Sequence, residues 1–357
     1  DAGIQEVIDN TQFIKGPQIK IFEENLAKEL NVKHVIACAN GTDALQIAMM
    51  ALDLKAGDEV ILPVFTYVAT AEVIGLLNLV PVMVDVDPDT FCIDVNLIES
   101  KITSKTKAIV PVHLFGQCAN MEEILKISAK YNLFVIEDTA QAIGAIYTFG
   151  DGSKQGAGCM GTIGTTSFFP SKNLGCYGDG GALMTNDDQI AKKIRMICNH
   201  GQSVQYVHDI IGVNSRLDSI QASVLNAKLP YLKSYQTARN EAAALYDKLL
   251  GSHPNIIIPK RNPNSTHVFH QYTLQISGID RDELRKLLAD RGIPTMIYYP
   301  IELHMQKAFS CFWDGQTEYP IAKMLCQTVL SLPMHTELTE NMIYFICNQL
   351  LEAIKWE

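Results

Sequence analysis

The chain has 357 residues, of which 47% are hydrophobic and 19% charged, the balance of a well-cored globule and not of a disordered chain. A net charge of −10 with no basic run argues against nucleic-acid binding, and no apolar run reaches the roughly eighteen residues that a membrane helix needs. Nine cysteines without a C-x-x-C pair, and a start at Asp1-Ala2-Gly3 with no leader pattern, give an expectation of free thiols in a reducing cytoplasm, while a leader removed ahead of Asp1 stays open.

In chain order, Gly16-Pro17 starts a helix predicted over Gln18–Leu30, on which Ile19, Ile21, Phe22, Leu26 and Leu30 form a rough apolar stripe. An apolar strand, His34–Cys38, runs through Asn40-Gly41-Thr42-Asp43 into a helix over Ala44–Leu54 that is apolar all round, and hence buried. Strand Glu59–Leu62, helix Tyr67–Leu77, strand Val80–Val84, strand Ala108–Val112, helix Met121–Lys130 and strand Phe134–Ile136 continue the alternation. A glycine-rich loop is expected between Tyr147 and Gly164, then strands Gly164–Phe169 and Ala182–Thr185 and a helix over Asp188–Cys198. Strands alternating with helices predict an α/β fold, a mostly parallel sheet flanked by helices on both faces. A long helical stretch, Leu217–Leu232, leads through Thr237–Leu250 into a smaller α+β unit. That unit is predicted as strand Thr266–Ile276, helix Arg281–Arg291, apolar strand Ile293–Tyr298 and final helix Thr339–Lys355. The domains are accordingly drawn as 1–236 and 237–357.

The chemistry centres on Thr166-Ser167-Phe168-Phe169-Pro170-Ser171-Lys172, which runs into a turn with glycines at 175, 178, 180 and 181. A lysine at a strand end, with backbone rather than bulk around it, suits imine formation, because desolvation frees the amine lone pair; an exposed loop lysine is the plainer alternative. Ligands gather beyond the carboxyl ends of parallel strands, where three further features fall. Asn40-Gly41-Thr42-Asp43 opens a helix whose free N–H groups suit a phosphate, with Ser167 as a second hydroxyl, although Asn40 or Thr42 equally serves as a cap. Asp138, just past an apolar strand, is expensive unless a cation such as a protonated pyridine nitrogen awaits it. Phe65-Thr66-Tyr67 offers an aromatic face for a flat ring, or simply packs in the core. One ligand, pyridoxal 5′-phosphate, uses all four features. Neither G-x-G-x-x-G nor a Walker loop is present, which counts against dinucleotide and ATP sites. His113 reads as a hydrogen-bonded residue near the site, Cys176 as packing, and His267 with His270, on opposite faces of a strand, as a poor metal site.

The sequence resembles the DegT/StrS group of nucleotide-sugar aminotransferases, with the pyridoxal-phosphate-dependent transferase architecture of fold type I. The resemblance rests on Gly16-Pro17, Phe22-Glu23, Asn40-Gly41-Thr42-Asp43-Ala44-Leu45, Glu137-Asp138-Thr139-Ala140-Gln141, Ser167-Phe168-Phe169-Pro170-Ser171-Lys172, Asn199-His200-Gly201 and Gly212-Val213-Asn214-Ser215-Arg216-Leu217-Asp218. Closer in, Cys38-Ala39-Asn40-Gly41-Thr42 and Leu174-Gly175-Cys176-Tyr177-Gly178-Asp179-Gly180-Gly181 look like the branch acting on UDP-2-acetamido-2-deoxy-3-oxo-glucuronate.

The resemblance implies that Lys172 binds the cofactor covalently, Asp138 pairs with the ring nitrogen, Gln141 bonds the ring hydroxyl and Tyr67 covers the ring. Gly41, Thr42 and Ser167 would hold the phosphate, with Asn214 reaching it from the second subunit of a homodimer. Arg216, Asn214, Tyr298 and His304 would meet the substrate. It further implies glutamate as donor, leaving 2-oxoglutarate and pyridoxamine 5′-phosphate midway, and a UDP-linked keto sugar as acceptor, for lipopolysaccharide or O-antigen synthesis. No arginine follows Arg291, which disfavours a dedicated amino-acid enzyme. Ser215 and Asp218 also fit a capping box, which would leave Arg216 merely facing solvent. The alternatives are a dTDP-linked 3- or 4-keto sugar as acceptor, or a pyridoxal-binding regulator without turnover.

Overall fold

The structure, a computed structural model, describes residues 1–354. Helix α1 (Ala2–Asp9) precedes α2 (Pro17–Leu30), and strand β1 (His34–Cys38) runs into α3 (Gly41–Ala51). There follow β2 (Glu59–Pro63), α4 (Ala69–Leu76), β3 (Val80–Val84), the one-turn α5 (Val95–Ile98), β4 (Thr106–Ile109), α6 (Met121–Tyr131) and β5 (Phe134–Asp138). A small hairpin, β6 (Ile146–Thr148) with β7 (Lys154–Gly156), interrupts the expected loop before β8 (Ile163–Ser167), β9 (Gly181–Thr185) and α7 (Asp188–Ile197). A second hairpin, β10 (Gln202–Val204) with β11 (Val207–His208), leads to α8 (Ser219–Lys228) and α9 (Leu232–Leu250). The rest is β12 (Ile256–Ile257), β13 (Tyr272–Ile276), α10 (Arg281–Asp290), α11 (Pro320–Thr328), β14 (Val329–Leu332) and α12 (Glu340–Ile354).

Seven strands form the main sheet in the order β1-β9-β8-β5-β4-β2-β3, and only β9 runs against its neighbours. Val60, Ile61 and Leu62 of β2 are completely buried, as continuous apolar strands must be when helices cover both faces. Helix α3 buries Ala44, Leu45, Ile47, Ala48, Met49 and Ala51, and each of the larger three contributes about 1.5–3 kcal/mol by leaving water. A second core, around Tyr246, Tyr272, Leu274, Leu288 and Leu350, joins α9, α10 and α12 to the three-stranded sheet β12-β13-β14. The division drawn at 236/237 falls inside α9. Leu232 of that helix packs with α2 and α8 residues, while Ala242, Ala243 and Tyr246 belong to the second core.

Several predicted elements need correction. The long helix from Leu217 breaks at Pro230, which cannot donate to the helical ladder, and a tight turn over Leu229–Tyr231 separates α8 from α9. The strand predicted over Thr266–Ile276 begins only at Tyr272, because residues 267–271 cross onto the segment around Gly116 instead. Ile293–Tyr298 is not a strand. Met296 alone bridges to Ser331, and the place beside β13 is taken by β14, which sequence reading had missed. Of the final helix, Glu340–Ile354 is described and Lys355 lies outside the described residues. No helix among the described residues is long and apolar enough to cross a membrane.

Candidate active site

The carboxyl ends of β1, β2, β4, β5 and β8 open on one edge of the sheet, where a cleft of about 780 Å³ lies. Gly41, Thr42, Tyr67, Asp138, Gln141, Ser167, Lys172 and Tyr298 all line it. This is the edge at which parallel α/β sheets collect ligands.

Asp138 ends β5 and is 6% exposed. Thr70 Oγ1, in the first turn of α4, donates to its Oδ2 at 2.9 Å, and the Ala140 N–H donates to Oδ1 at 3.1 Å. Two donors fix the carboxylate and leave it lone pairs for a cation. The preceding residue, Glu137, points the other way and accepts from the N–H groups of Gly158, Met160 and Gly161. His113 completes that shell at 2.9 Å from Glu137. Its Nδ1 accepts from the Ala119 N–H, so Nε2 carries the proton and donates to the carboxylate. His113 is thus a scaffold residue bracing the strand end that presents Asp138.

Lys172 lies in a turn five residues beyond β8, closed by its N–H bond to the Phe169 carbonyl at 2.8 Å, and not on the strand end itself. Burial pushes its amine below the usual lysine range, against an opposing pull from the Asp138 charge. A larger share of the amine is then unprotonated near neutral pH, the form that can act as nucleophile and base. Cys176 is fully buried with its thiol on the carbonyls of Phe168 and Gly178, a packing role.

The turn from β1 into α3 forms a cradle. Asn40 does cap the helix, accepting from the Asp43 N–H at 2.8 Å, and the Gly41 and Thr42 N–H groups remain in the first turn, where no ladder partner exists. A Cβ on Gly41 would sit 2.7 Å from Ser167 Cβ, so this turn and the end of β8 approach as closely as a glycine allows. On the opposite wall the rings of Tyr67 and Tyr299 lie 6.3 Å apart, and Phe65 packs edge-on to Tyr299 at 5.9 Å. Gln141 accepts from the Phe115 N–H at 2.8 Å and donates to the Tyr299 hydroxyl at 3.2 Å, which keeps one amide hydrogen free. Two buried groups of the cleft, Thr66 Oγ1 and His270 Nδ1, have no hydrogen-bond partner among the described residues. A cradle for an anion, an acid for a cation, a flat aromatic wall and an orphaned hydroxyl together fit pyridoxal 5′-phosphate.

Three expected residues stand elsewhere. His304 is not in the cleft: the Leu303 N–H bonds the Val64 carbonyl, and the turn there buries the imidazole 4.7 Å from the Tyr319 ring and 5.2 Å from Trp313. Asn214 and Arg216 lie outside the cleft of their own chain, Asn214 exposed and pairing by its backbone with Asn199. The Ser215–Asp218 capping box does not form. Ser215 Oγ instead accepts from the Ala39 N–H at 3.1 Å, which ties this segment to the cradle. Thr66, Thr70, His270, Gln271 and Tyr299 line or support the cleft without having been foreseen. Thr70 follows Tyr67 by one helical turn, and Tyr299 adjoins Tyr298, so both had a local signal.

A buried lysine, a braced acid and a helix-opening cradle on this sheet edge fit the architecture of a pyridoxal-phosphate-dependent transferase of fold type I. The chain belongs to the DegT/DnrJ/EryC1/StrS aminotransferase family, whose model matches residues 1–351. It is 46% identical to the UDP-2-acetamido-2-deoxy-3-oxo-D-glucuronate aminotransferase of Pseudomonas aeruginosa, over 97% of this chain and 94% of that one. Identity is 44% both to a pleiotropic regulatory protein of Geobacillus stearothermophilus (98% and 92% covered) and to a UDP-N-acetyl-3-dehydro-α-D-glucosamine 3-aminotransferase of Acidithiobacillus ferrooxidans (96% and 90%). Among solved structures, NtdA of Bacillus subtilis with bound cofactor PMP superposes with a TM-score of 0.91 at 33% identity, covering 99% of this chain and 81% of that one.

Proposed function

We propose that this chain is a pyridoxal 5′-phosphate-dependent aminotransferase that moves an amino group from glutamate to the C3 ketone of UDP-2-acetamido-2-deoxy-3-oxo-glucuronate, as a homodimer with shared sites, in surface-polysaccharide synthesis. Gly41, Thr42 and Ser167 would hold the cofactor phosphate, Gln141 the ring hydroxyl, Tyr67 the ring face and Asp138 the ring nitrogen. When bound, the cofactor supplies an electron sink through its protonated ring. Asp138, held by Thr70 and Ala140, keeps the proton on that nitrogen. Lys172 Nζ would take the α-proton of the donor as general base and hand it on within the same half-reaction, and would carry a proton in the reverse sense on the acceptor. One relative carries a regulatory name, but this chain retains both Lys172 and the braced Asp138, the groups that turnover needs. Nine free thiols fit a reducing compartment, and we place the enzyme in the cytoplasm.

The observation that carries the acceptor and the dimer is one of charge. Lys172 is the only lysine or arginine among the described residues lining the cleft, beside three carboxylates, Asp43, Asp138 and Asp179. The cofactor phosphate has neutral donors in Gly41, Thr42 and Ser167, but the two carboxylates of glutamate and a nucleotide diphosphate call for cations beyond Lys172, which a second copy would supply. Arg216 sits on the segment that Ser215 ties beside the cradle, available to the cleft of a second copy. Its planar guanidinium matches a sugar carboxylate by two parallel hydrogen bonds.

The test is a matched pair of acceptors, the 3-keto uronate and its 6-hydroxymethyl counterpart, assayed with wild type and Arg216→Ala. The variant should lose roughly 2–5 kcal/mol of transition-state stabilisation on the uronate and much less on the neutral sugar. Arg216→Lys should fall between. Equal loss on both acceptors makes Arg216 structural, and wild-type preference for the neutral sugar removes the uronate.

A further inference from the structure

Residues 267–271 do not run straight into β13. They cross the segment after β4, with the Val268 N–H donating to the Gly116 carbonyl at 2.8 Å and the Gln271 N–H to the Phe115 carbonyl at 3.3 Å. The crossing uses left-handed backbone at Phe115 (φ 58°), Gly116 (φ 119°) and Phe269 (φ 44°), and a Cβ on Gly116 would lie 2.8 Å from the Phe269 nitrogen. Left-handed conformations at bulky residues cost about 1–3 kcal/mol each and persist only where the surroundings over-determine them. Two clamps do so here. Asn173, adjacent to Lys172, donates to the Val268 carbonyl at 2.8 Å. Arg239, buried in α9, donates to the carbonyls of Phe269, Met334 and His270 at 2.9, 3.1 and 3.4 Å.

The product of this geometry is the placement of His270, 5% exposed, in the cleft that holds Lys172, with Nδ1 buried and without a partner among the described residues. Burial, then the charges of Lys172 and Arg239, hold the imidazole well below its usual pKa, so the ring is neutral and keeps one lone pair. The Asp138 charge acts on the Lys172 amine, the Lys172 and Arg239 charges act on the ring, and Asp138, Lys172 and His270 all line the one cleft.

Building on the proposed aminotransferase reading, we propose that His270 is a positioning residue for Lys172, its Nδ1 accepting a hydrogen bond from the Lys172 amine once that amine is free of the cofactor and protonated. Nε2 then carries the ring proton, and the Gln271 amide, 3.5 Å away, receives it with its oxygen turned to the ring. No bond is made or broken in this role. The proton that Lys172 would take from the donor's α-carbon rests on Nζ only until it is handed on in the same half-reaction, and His270 keeps the ammonium aimed for that interval. A charge-assisted hydrogen bond of this kind stabilises the ammonium over the free amine.

The experiment uses the protein loaded with pyridoxamine 5′-phosphate, in which Lys172 is free. Isotopic acetylation of Lys172 is followed against pH by peptide mass spectrometry in wild type, His270→Leu and His270→Gln. His270→Leu should lower the labelling midpoint by about one pH unit, a roughly tenfold faster labelling at a fixed pH below it, and slow the glutamate half-reaction in kcat. His270→Gln, whose amide oxygen still accepts, should stay near wild type. Should His270→Leu lose its near-ultraviolet circular dichroism, His270→Asn takes its place with the same expectation. Unchanged midpoints in all variants overturn the proposal in favour of packing. An unchanged midpoint with a raised KM for glutamate overturns it in favour of substrate binding. Failure to bind pyridoxamine phosphate at all defeats the aminotransferase reading instead, and labelling of the bare chain still reads the Lys172–His270 pair.

Discussion

Asp138 and Lys172 stand in one cleft, the acid braced by Thr70 and Ala140 and the amine lowered by burial. Lys172→Ala should lose the borohydride-reducible adduct with the cofactor and essentially all turnover, and near wild-type transamination by that variant would overturn its assignment. Asp138→Asn keeps the shape and the Thr70 contact but offers a neutral group to the ring nitrogen. Its rate should drop by more than the ~10-fold that about 1.4 kcal/mol represents, with the melting temperature little changed. A separate residue-scale effect comes from His267, buried against Phe269, where burial first and the Arg261 charge second push its pKa down to about 3. The folded state therefore binds fewer protons than the unfolded one between about pH 6.5 and 3, and stability present above that window is lost as the pH falls through it. The loss should approach about 1.4 kcal/mol per pH unit within the window. Melting scans at pH 7.5 and 5 should show a smaller acid shift for His267→Gln than for wild type, and equal shifts would move the acid sensitivity to other groups.

Among the elements, those with continuous apolar runs were legible: β1, β2, β3 and β5 lie within two residues of where the sequence put them, and α3 is the buried helix expected, though it begins and ends three residues before the Ala44–Leu54 reading. The residues gathered at their carboxyl ends were legible for the same reason, since a parallel sheet determines which loops share an edge. Elements decided by long-range contacts were not. Residues 266–270 carry a strand's composition but meet Gly116 and Asn173 first, and Ile293–Tyr298 lost its place to β14, whose four residues give too short a pattern to read. His304 was misplaced because a residue's distance from the cleft depends on a turn that periodicity does not describe. The junction of β1 and α3 offers the test at this scale. Alanine in the first turn of a helix is intrinsically better than glycine by up to about 1 kcal/mol, so Gly41→Ala should be mild for the helix. Its Cβ, however, would meet Ser167 Cβ at 2.7 Å and spread the cradle proposed for the phosphate. Cofactor affinity read by absorbance titration should fall at least about tenfold while the unfolding midpoint of the bare chain moves little. An unchanged affinity would place the phosphate elsewhere.

For the molecule as a whole, the net charge of −10 and Lys172 as the one lysine or arginine among the described residues lining the cleft pose the same question: how an acidic protein holds several anionic ligands at once. A closed twofold dimer, the commonest oligomer, answers it if each copy lends Asn214 and Arg216 to the other. The exposed apolar residues Ile211, Tyr206 and Val204, on and beside the β10–β11 hairpin, lie shortly before that segment, on a surface that would otherwise be left wet. Shared sites make a prediction that separate sites do not. Lys172→Ala is inactive for want of its own amine, and an Asn214→Ala/Arg216→Ala double variant is inactive because each of its sites lacks the lent residues. In a hybrid dimer, the site that keeps Lys172 receives intact Asn214 and Arg216 from the Lys172→Ala subunit, while the other site is doubly defective. Random exchange of equal amounts makes about half the dimers hybrid, each with one working site of two, so activity should recover to about a quarter of wild type. Subunit exchange is verified first by native mass spectrometry of differently tagged chains. Recovery near that level with exchange, and none without it, assigns Asn214 and Arg216 to the partner's cleft; verified exchange without recovery leaves each cleft to find its cations within one chain.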